Sequence, residues 1–224
     1  MKKQNKKVPA LRFKGFEKEW EEKKLGEIGT TYSGLSGMSK IDFGHGEARY
    51  ITYMNVFSNT IASIDGIDNV EIDSSQNEVK KGDILFTTSS ETPEEVGMSS
   101  VWLYDIPNTY LNSFCFGFRP FVDIDNYFSA YLMRSPNIRN DFKFLAQGIS
   151  RFNISKQRVM EISTCLPHNC EQQIIGTFFK ELDELIGAKE EELKKLRQLK
   201  AALLDAMFPN TDEINVNRGG AKVK

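Results

Sequence analysis

The stretch EQQIIGTFFKELDELIGAKEEELKKLRQLKAALLDAMF (residues 171–208) decides the architecture, because no other part of the chain is as strongly periodic. It is nearly free of Gly and Pro, and Ile175, Leu182, Leu196 and Leu203 fall on the first apolar position of a heptad. The same helical stripe carries further apolar side chains, namely Phe178, Phe179, Leu185, Ile186, Leu193, Leu199 and Met207. The pattern predicts a single helix of about 38 residues, roughly 57 Å long.

The ends and the length of this helix indicate what it packs against. Asn169 followed by Gln172 resembles a capping box, and Pro209 supplies the stop. A typical domain is about 30 Å across. Packing against the chain's own domain can therefore explain the apolar residues of the first two turns, but not those of residues 193–207. We therefore predict a partner helix for the spacer or dimerisation segment 169–209. The side chains predicted to face that partner are Leu182, Leu185, Leu193, Leu196, Leu199 and Leu203.

Residues 1–168 mix short apolar runs with turn signals and are predicted to form one α+β domain. Residues 125–148 have helical spacing that fits two short helices, with Ser135 and Pro136 starting the second and Gly148 capping it. Because strands and helices are segregated along the chain, an α+β domain is favoured over a doubly wound sheet. Four runs rich in β-branched and aromatic residues are predicted as strands: RYITYMNVF (49–57), DILFTT (83–88), SVWLY (100–104) and YLNSFCFGF (110–118).

Length and composition point to one globular domain with an appended element. The chain has 224 residues, of which 40% are hydrophobic and 27% charged, and it has no apolar run long enough to span a bilayer. The lysine-rich segment 1–7 lacks a following apolar stretch, so it is interpreted as a frayed basic tail and not as a secretory signal. Three irregularly spaced cysteines agree with a reducing compartment. We expect a cytoplasmic protein with a disordered polar tail over residues 210–224.

The charge distribution limits how the chain can meet a nucleic acid. Its net charge of -2 argues against a freestanding nucleic-acid-binding protein, because such domains usually carry a basic excess. Acidic residues predominate over residues 65–95, whereas residues 131–158 form a local basic stretch. That stretch contains Arg134, Arg139, Lys143, Arg151, Lys156 and Arg158. Any DNA contact is therefore expected to be localised or shared with a partner.

No motif for catalysis or cofactor binding stands out in the sequence. The Asn-Pro-Pro-aromatic motif of adenine methyltransferases and a Gly-rich cofactor loop are absent, and GLSGMSK (34–40) departs from the phosphate-loop pattern. Asp73, Glu78 and Lys80 imitate the acid and E-x-K pattern of metal-dependent nucleases, but they lie in a polar connection where a solvated turn is favoured. The cysteines and histidine at 115, 165, 168 and 170 fit no common zinc module. We predict no catalytic residue, metal or cofactor in this chain.

Two polar loops remain as candidate binding segments. TTSSETPEEVG (87–97) follows a predicted strand, and it fits a plain surface loop as well as a binding loop. QGISRFNIS (147–155) places Gln147, Arg151 and Asn153 within one short turn, and all three side chain types make paired hydrogen bonds to base edges. The second loop is therefore interpreted as a DNA contact in preference to a simple connection between elements.

Several segments together resemble the specificity subunits of type I restriction-modification systems. They are VPALRFKGFEKEWEEKKLGEI (8–28), GDILFTTSSETPEEVG (82–97), YLNSFCFGFRP (110–120), QGISRFNI (147–154) and the helix with its LLDAMFP end (171–209). The resemblance covers residues 8–209 in the family's order. It implies a non-catalytic target recognition domain (1–168) and a spacer helix (169–209) on which a methyltransferase subunit docks. That subunit would bind S-adenosylmethionine, and a restriction subunit would join indirectly.

The same resemblance implies which residues belong to or flank the surface that reads double-stranded DNA. The predicted DNA-contacting residues are Tyr32, Ser33, Lys40, Ser89, Ser90, Glu91, Thr92, Gln147, Ser150, Arg151 and Asn153.

The chain departs from the family's usual pattern in one respect, since family members usually carry two recognition domains and two such helices. No second LRFKGF-like segment follows Pro209. The chain is therefore expected to be either a natural half subunit or the product of a truncated or split gene. As a half subunit it would pair antiparallel with its own copy or with a second half-specificity chain. A homodimer would read inverted half-sites no more than about 16 base pairs apart.

Two alternatives from other functional classes stay open. The first is a scaffold remnant of a split specificity subunit without specific DNA binding. The second is a self-sufficient nuclease or methyltransferase, which would need motifs that the sequence lacks.

Overall fold

A computed structural model of the chain describes residues 7–208. The strands of this part are β1 (Glu21–Lys24), β2 (Gly29–Ser33), β3 (Phe43–Ile51), β4 (Ile67–Val70), β5 (Ile84–Thr87), β6 (Ser89–Ser90), β7 (Ser99–Val101), β8 (Thr109–Leu111), β9 (Cys115–Pro120), β10 (Phe152–Asn153) and β11 (Ser163–Leu166). The helices are α1 (Tyr53–Ser58), α2 (Asn126–Met133), α3 (Pro136–Leu145), α4 (Lys156–Val159) and α5 (Asn169–Met207). The predicted polar tail 210–224 and most of the predicted basic tail lie outside the described residues.

A four-stranded antiparallel sheet of order β2-β9-β5-β7 forms the centre of the domain. Every residue of β5 is buried, because successive side chains point into two different apolar clusters. Ile84 and Phe86 belong to one cluster and Leu85 to the other. Burial on both faces explains why the sequence of this strand is a continuous apolar run and does not alternate between apolar and polar residues.

The two clusters are built from different elements. In the larger cluster, the Phe86 ring stacks on Phe116 at 5.2 Å and on Phe142 of α3 at 5.3 Å between ring centroids. The smaller cluster contains the fully buried Trp102 together with Val56 of α1. The sheet is therefore covered by α2 and α3 residues on one face and by α1 on the other.

A second, mixed sheet has the order β4-β3-β8, in which β3 pairs antiparallel with β4 and parallel with β8. The prediction of one strand over 49–57 is wrong in its second half, since the strand ends at Ile51 and α1 follows. Thr52 caps this helix, because its hydroxyl oxygen accepts a hydrogen bond from the Asn55 amide nitrogen. The buried Asn55 side chain in turn donates to the carbonyls of Ser63 and Gly66, at 2.7 and 2.9 Å.

The other predicted elements are mostly confirmed, with changes at their ends. The 83–88 strand is β5, and the 110–118 run splits into β8 and β9 at a turn around Asn112. Of the 100–104 run, only its start lies in a strand, β7. The two helices predicted within 125–148 are α2 and α3, and Ser135 with Pro136 does start the second. The predicted cap at Gly148 is wrong, because α3 ends at Leu145.

The long C-terminal helix is confirmed as α5, which starts at Asn169 and ends at Met207. The predicted capping box at its start is wrong, because the Gln172 side chain is buried and engaged elsewhere. It donates to the Pro167 carbonyl at 2.9 Å and accepts from the Asp125 amide nitrogen at 3.0 Å. Nearby, Arg12 donates two hydrogen bonds of 2.7 Å to the buried Glu171 carboxylate and fastens the N-terminal segment to this helix.

The described chain divides into two compact units between Phe179 and Lys180, a point within α5. The first unit holds the sheets and the first turns of the helix, and the fold is α+β with a long C-terminal helix, as predicted. The large apolar side chains of the second unit are exposed, among them Leu182, Leu185, Leu193, Leu196, Leu199 and Leu203. Among residues 7–208, none of the helices combines the length and apolarity that crossing a bilayer requires.

Candidate nucleic-acid interface

The predicted DNA-contacting residues fall in three segments, 32–40, 89–92 and 147–153, and the last two of these segments are hydrogen-bonded to each other. The short strands β6 and β10 pair antiparallel, so that Ser89 lies opposite Asn153 and Ser90 opposite Phe152. The ladder continues one residue further, where the Ile154 amide donates to the Thr88 carbonyl at 3.0 Å. The structure therefore brings together residues that lie far apart in the sequence.

The segment 147–153 is a hairpin-like loop closed on itself. The amide of Gln147 donates to the carbonyl of Asn153 at 3.0 Å, and the Asn153 amide donates back at 2.9 Å. Between them Ile149 is 98% exposed, and the exposed Arg151 places its guanidinium 5.4 Å from the centroid of the Phe114 ring. The backbone bonds hold the loop, and the side chains of Gln147, Arg151 and Asn153 lie at its surface.

The two segments form part of a cleft of about 710 Å³. The predicted residues that line it are Ser89, Ser90, Glu91, Thr92, Ser150 and Arg151. The sequence did not predict the contribution of α1, which adds Tyr53, Met54 and Phe57 to the lining. The Tyr53 and Phe57 rings stack at 5.9 Å, and the Tyr53 hydroxyl donates to the Ser89 carbonyl at 2.8 Å. The spacing of these aromatics by four residues after a Thr is compatible with a capped helical turn, but the same residue types also fit a strand, so the sequence does not decide between the two.

The loop 87–97 is held in place on its far side by α3. The Arg139 guanidinium donates to the carbonyls of Glu94, Val96 and Gly97, at 2.6 to 2.7 Å. Gly97 has a left-handed φ of 64°, and a Cβ atom there would lie 2.2 Å from the Phe142 ring. The loop is therefore fixed by β6 at one end and by Arg139 and Gly97 at the other.

The basic stretch predicted over residues 131–158 is smaller at the surface than the sequence indicates. The Arg139 guanidinium is hydrogen-bonded to carbonyls of the loop 87–97, and Lys143 pairs with the Glu94 carboxylate. Burial first, and then the charge of Arg139, lower the pKa of Arg134 to about 10. The Arg134 guanidinium donates to four backbone carbonyls, those of Val56, Phe57, Asn59 and Ser99. These arginines hold α1 and the loop 87–97 in place, which leaves Arg151, Lys156 and Arg158 as the remaining cations of the basic stretch.

The other predicted segment, residues 32–40, contacts α4, the helix that follows the loop 147–153. The Lys156 ammonium donates to the Ser33 hydroxyl oxygen at 2.6 Å. Tyr32 is directed elsewhere, since its hydroxyl donates to Asp83 at 2.6 Å and its ring lies 5.0 Å from the Arg119 guanidinium. Burial, and then the neighbouring Asp83 charge, raise the pKa of the Tyr32 phenol well above its ordinary value. Within residues 7–208, neither Tyr32 nor Lys40 lines the cleft, and their DNA contacts stay predictions.

The turn that carries Lys40 is held by an imidazole. His45 places Nε2 2.6 Å from the Ile41 carbonyl and Nδ1 2.8 Å from the Glu71 carboxylate. Both neighbours are acceptors, so only the protonated ring donates both hydrogen bonds. The Ile41 carbonyl first, and then Glu71, therefore raise the pKa of His45 above its ordinary value.

This geometry predicts a pH-dependent contribution to stability. Because the folded-state pKa of His45 is raised, the stabilisation is fully present below the unfolded pKa of about 6.5 and is lost as the pH rises through the folded value. An NMR titration of the ring should give a midpoint above that of a model histidine. The melting temperature of the His45→Gln variant should lack this pH dependence. A ring that titrates at or below the model value would contradict the assignment of the two hydrogen bonds.

The other candidate clusters from the sequence have local structural partners. Asp73 accepts hydrogen bonds from Ser75 and Gln76, and Glu78 accepts one from the Asn108 amide at 2.7 Å. Among the described residues, no three His, Cys, Asp or Glu side chains lie close enough to hold a metal ion.

Comparison with known families identifies the chain's relatives. Residues 17–198 match the family described as the type I restriction modification DNA specificity domain. The chain belongs to this family. No curated protein matches it.

Solved structures agree with this membership at the level of the fold. The S subunit of the M. genitalium type I restriction-modification system shares 16% identity with a TM-score of 0.52, over 90% of this chain and 48% of its own. The HsdS subunit from Thermoanaerobacter tengcongensis shares 17% with a TM-score of 0.57, over 86% and 46%. A structure from work on complex assembly and conformational transition of the type I R-M system shares 16% with a TM-score of 0.59, over 88% and 47%. At these identities the likeness concerns the fold alone, and this chain spans about half the length of each of these structures.

Proposed function

We propose that this type I specificity chain is a non-catalytic DNA-recognition subunit that reads one half-site of double-stranded DNA with the cleft between residues 89–92 and 147–153. The observation that carries the proposal is the pairing of β6 with β10, which joins two separately predicted reading loops on one surface. Loops that a rigid frame holds in place are well suited to reading base edges, because little ordering is left to do on binding.

The side chains at this surface have the chemistry that direct readout requires. Gln147, Arg151 and Asn153 are exposed, and their side-chain types make paired hydrogen bonds to adenine or guanine in the major groove. Lys156 and Arg158, which follow this loop in the sequence, are suited to phosphate contacts that set its register on the duplex.

Helix α5 supports the second half of the proposal, in which the chain docks partners. Its apolar side chains beyond Phe179 are exposed along the whole described length, and a soluble helix normally buries such a stripe. We propose that it packs antiparallel against the same helix of a second copy, or of a second half-specificity chain, and that a methyltransferase subunit docks on this pair. A restriction subunit would then join indirectly. An isologous two-fold contact is the commonest way for identical chains to bury one such face.

A DNA-binding comparison with and without the methyltransferase subunit tests the recognition function. Because the net charge is -2, the purified chain alone is expected to bind duplex DNA weakly, with Kd above about 1 µM at physiological salt and little selectivity. The complex should bind one sequence at least a hundredfold more tightly than scrambled DNA, as gel shift would measure. Tight specific binding by the chain alone would contradict the shared clamp. A complex without any sequence preference would contradict recognition and favour a scaffold remnant.

Arg151 provides the sharpest single-residue test of the reading loop. Arg151→Ala should weaken binding to the specific site by about 1–3 kcal/mol, because a guanidinium forms a paired contact with guanine. The melting temperature should change little, since the contact with the Phe114 ring is at an exposed position and contributes about 0.5–1 kcal/mol at most.

The matched Arg151→Lys variant separates base reading from charge. Lysine keeps the positive charge but loses the planar fork, so its affinity for scrambled DNA should stay near that of the wild type while specific binding falls. If Arg151→Ala leaves the affinity unaltered and lowers the melting temperature, the side chain is structural and the assignment of this loop is wrong.

A further inference from the structure

One of the carboxylates that line the cleft has no hydrogen-bonding or charged partner among the described residues. Its charged lining consists of Glu91, Glu95 and Arg151. Glu95 accepts a hydrogen bond of 2.9 Å from the Ser90 hydroxyl, whereas Glu91 is exposed and has no hydrogen bond or ion pair within residues 7–208. Of the two cleft acids, Glu91 is therefore the one whose carboxylate has no partner among the described residues, which leaves all of its acceptor sites open to a ligand.

The sign of these charges limits which part of DNA can occupy the cleft. Two carboxylates against one guanidinium leave the charged lining negative, and an anionic wall repels phosphate. A base edge is different, because the amino groups of cytosine and adenine are hydrogen-bond donors in the major groove. An exposed acid on a DNA-reading surface is thus suited to a base and unsuited to the backbone.

Glu91 is also held where a specificity residue would need to be. It follows β6 directly, and Ser90 is paired with Phe152 and bonded to Glu95. The far end of the same loop is fixed by the three hydrogen bonds of Arg139. The backbone on both sides of Glu91 is therefore preorganised, which fine discrimination between bases requires.

We propose that Glu91 is a specificity-determining residue that accepts a hydrogen bond from the exocyclic amino group of one base of the half-site. The inference rests on the proposed function of the cleft. The source of the amino group is cytosine N4 or adenine N6. Arg151 in the same cleft favours cytosine, because a C·G pair offers an amino donor for the carboxylate and the O6 and N7 acceptors of guanine for the guanidinium.

Selection from a randomised duplex DNA library tests the proposal. The full chain is used in complex with its methyltransferase subunit, and the wild type is compared with Glu91→Ala and Glu91→Gln. Glu94→Gln is the matched control, since this acid lies in the same loop but pairs with Lys143 and does not line the cleft. Melting temperatures of all variants are measured, and those of the Glu91 variants should equal the wild-type value because the side chain is exposed.

The wild type should prefer an amino-bearing base at one position, and Glu91→Ala should lose roughly tenfold of the discrimination at that position alone. Glu91→Gln distinguishes the two sources, because an amide pairs well with adenine. A cytosine preference would be lost or replaced by adenine, whereas an adenine preference would be kept. Glu94→Gln should retain the wild-type sequence.

Two results would overturn the inference while leaving the proposed function intact. The first is an unchanged sequence preference in Glu91→Ala. The second is a uniform gain of affinity for all sequences, which would make Glu91 a peripheral repulsive charge. If the wild-type complex selects no sequence, the proposed function fails and the inference fails with it.

Discussion

Replacing both Leu196 and Leu199 with Glu is expected to convert the proposed dimer into monomers and to abolish DNA modification. The two side chains are 57% and 56% exposed in the single chain, and the proposed helix pair would bury both. Each buried Leu contributes about 1.5–3 kcal/mol, and a two-fold contact loses each contribution twice. Carboxylates in an apolar seam add the cost of burying an unpaired charge. Sedimentation at micromolar concentration measures the first effect and a methylation assay the second.

A second pair of substitutions with the same spacing controls for the added charge. Gln198→Glu combined with Ala201→Glu places two carboxylates on the opposite face of α5, away from the apolar stripe. This control should remain dimeric and active. Near-UV circular dichroism should show a folded recognition domain in both double variants. A wild-type chain that sediments as a monomer, or a Leu196 and Leu199 variant that stays dimeric, would contradict the proposed pairing.

Asp83→Ala is expected to lower the free energy of unfolding by about 3 kcal/mol and the melting temperature by roughly 10 °C. The Asp83 carboxylate is 2% exposed and accepts two hydrogen bonds from Arg119, at 2.8 and 2.6 Å. It also accepts from the Tyr32 hydroxyl and from the Lys80 amide, at 2.6 and 2.8 Å. Its removal leaves these donors without their acceptor. The value lies at the lower end for a broken buried ion pair, because the Arg119 side chain is partly exposed.

The matched control for this change is Asp68→Ala. Asp68 is exposed, and its 3.4 Å contact with the Tyr50 hydroxyl is long for a hydrogen bond. This variant should lie within about 0.5 kcal/mol of the wild type. Thermal unfolding of both variants under identical conditions gives the comparison. Equal melting temperatures would show that the Asp83 network contributes little to the fold.

The parts of the fold that were predictable from sequence are those set by repeated local patterns. Helix α5 was predictable because its apolar spacing persists over many turns, and β5 because its apolar run is bounded by turn residues. The pairing of β6 with β10 could not be predicted from the sequence. These strands are two residues each and lie far apart in the sequence, so tertiary packing and not local propensity decides that they meet.

The predictions for α1 and for the arginines of the basic stretch were wrong because contacts between residues distant in the sequence decide both. The aromatics of α1 suit a strand as well as a helix, and the buried Asn55 amide, with acceptors ten or so residues downstream, decides between the two. Arg134 and Arg139 were predicted to contribute to a basic surface, because residue type does not reveal that carbonyls of distant loops accept their hydrogen bonds. In the candidate site, the polar loops were predictable from composition, whereas the aromatic wall formed by α1 was not.

Sequencing the methylated positions in a host that expresses this chain with its methyltransferase subunit tests whether the chain recognises DNA and does so as a homodimer. The expected result is methylation that depends on the chain, at a single target made of inverted identical half-sites around an unread gap, since two copies related by a two-fold axis read the same half-sequence. The half-site centres should be no more than about 16 base pairs apart. Methylation at two unrelated half-sequences would contradict the homodimer, and the absence of any chain-dependent methylation would contradict the assignment of DNA recognition itself.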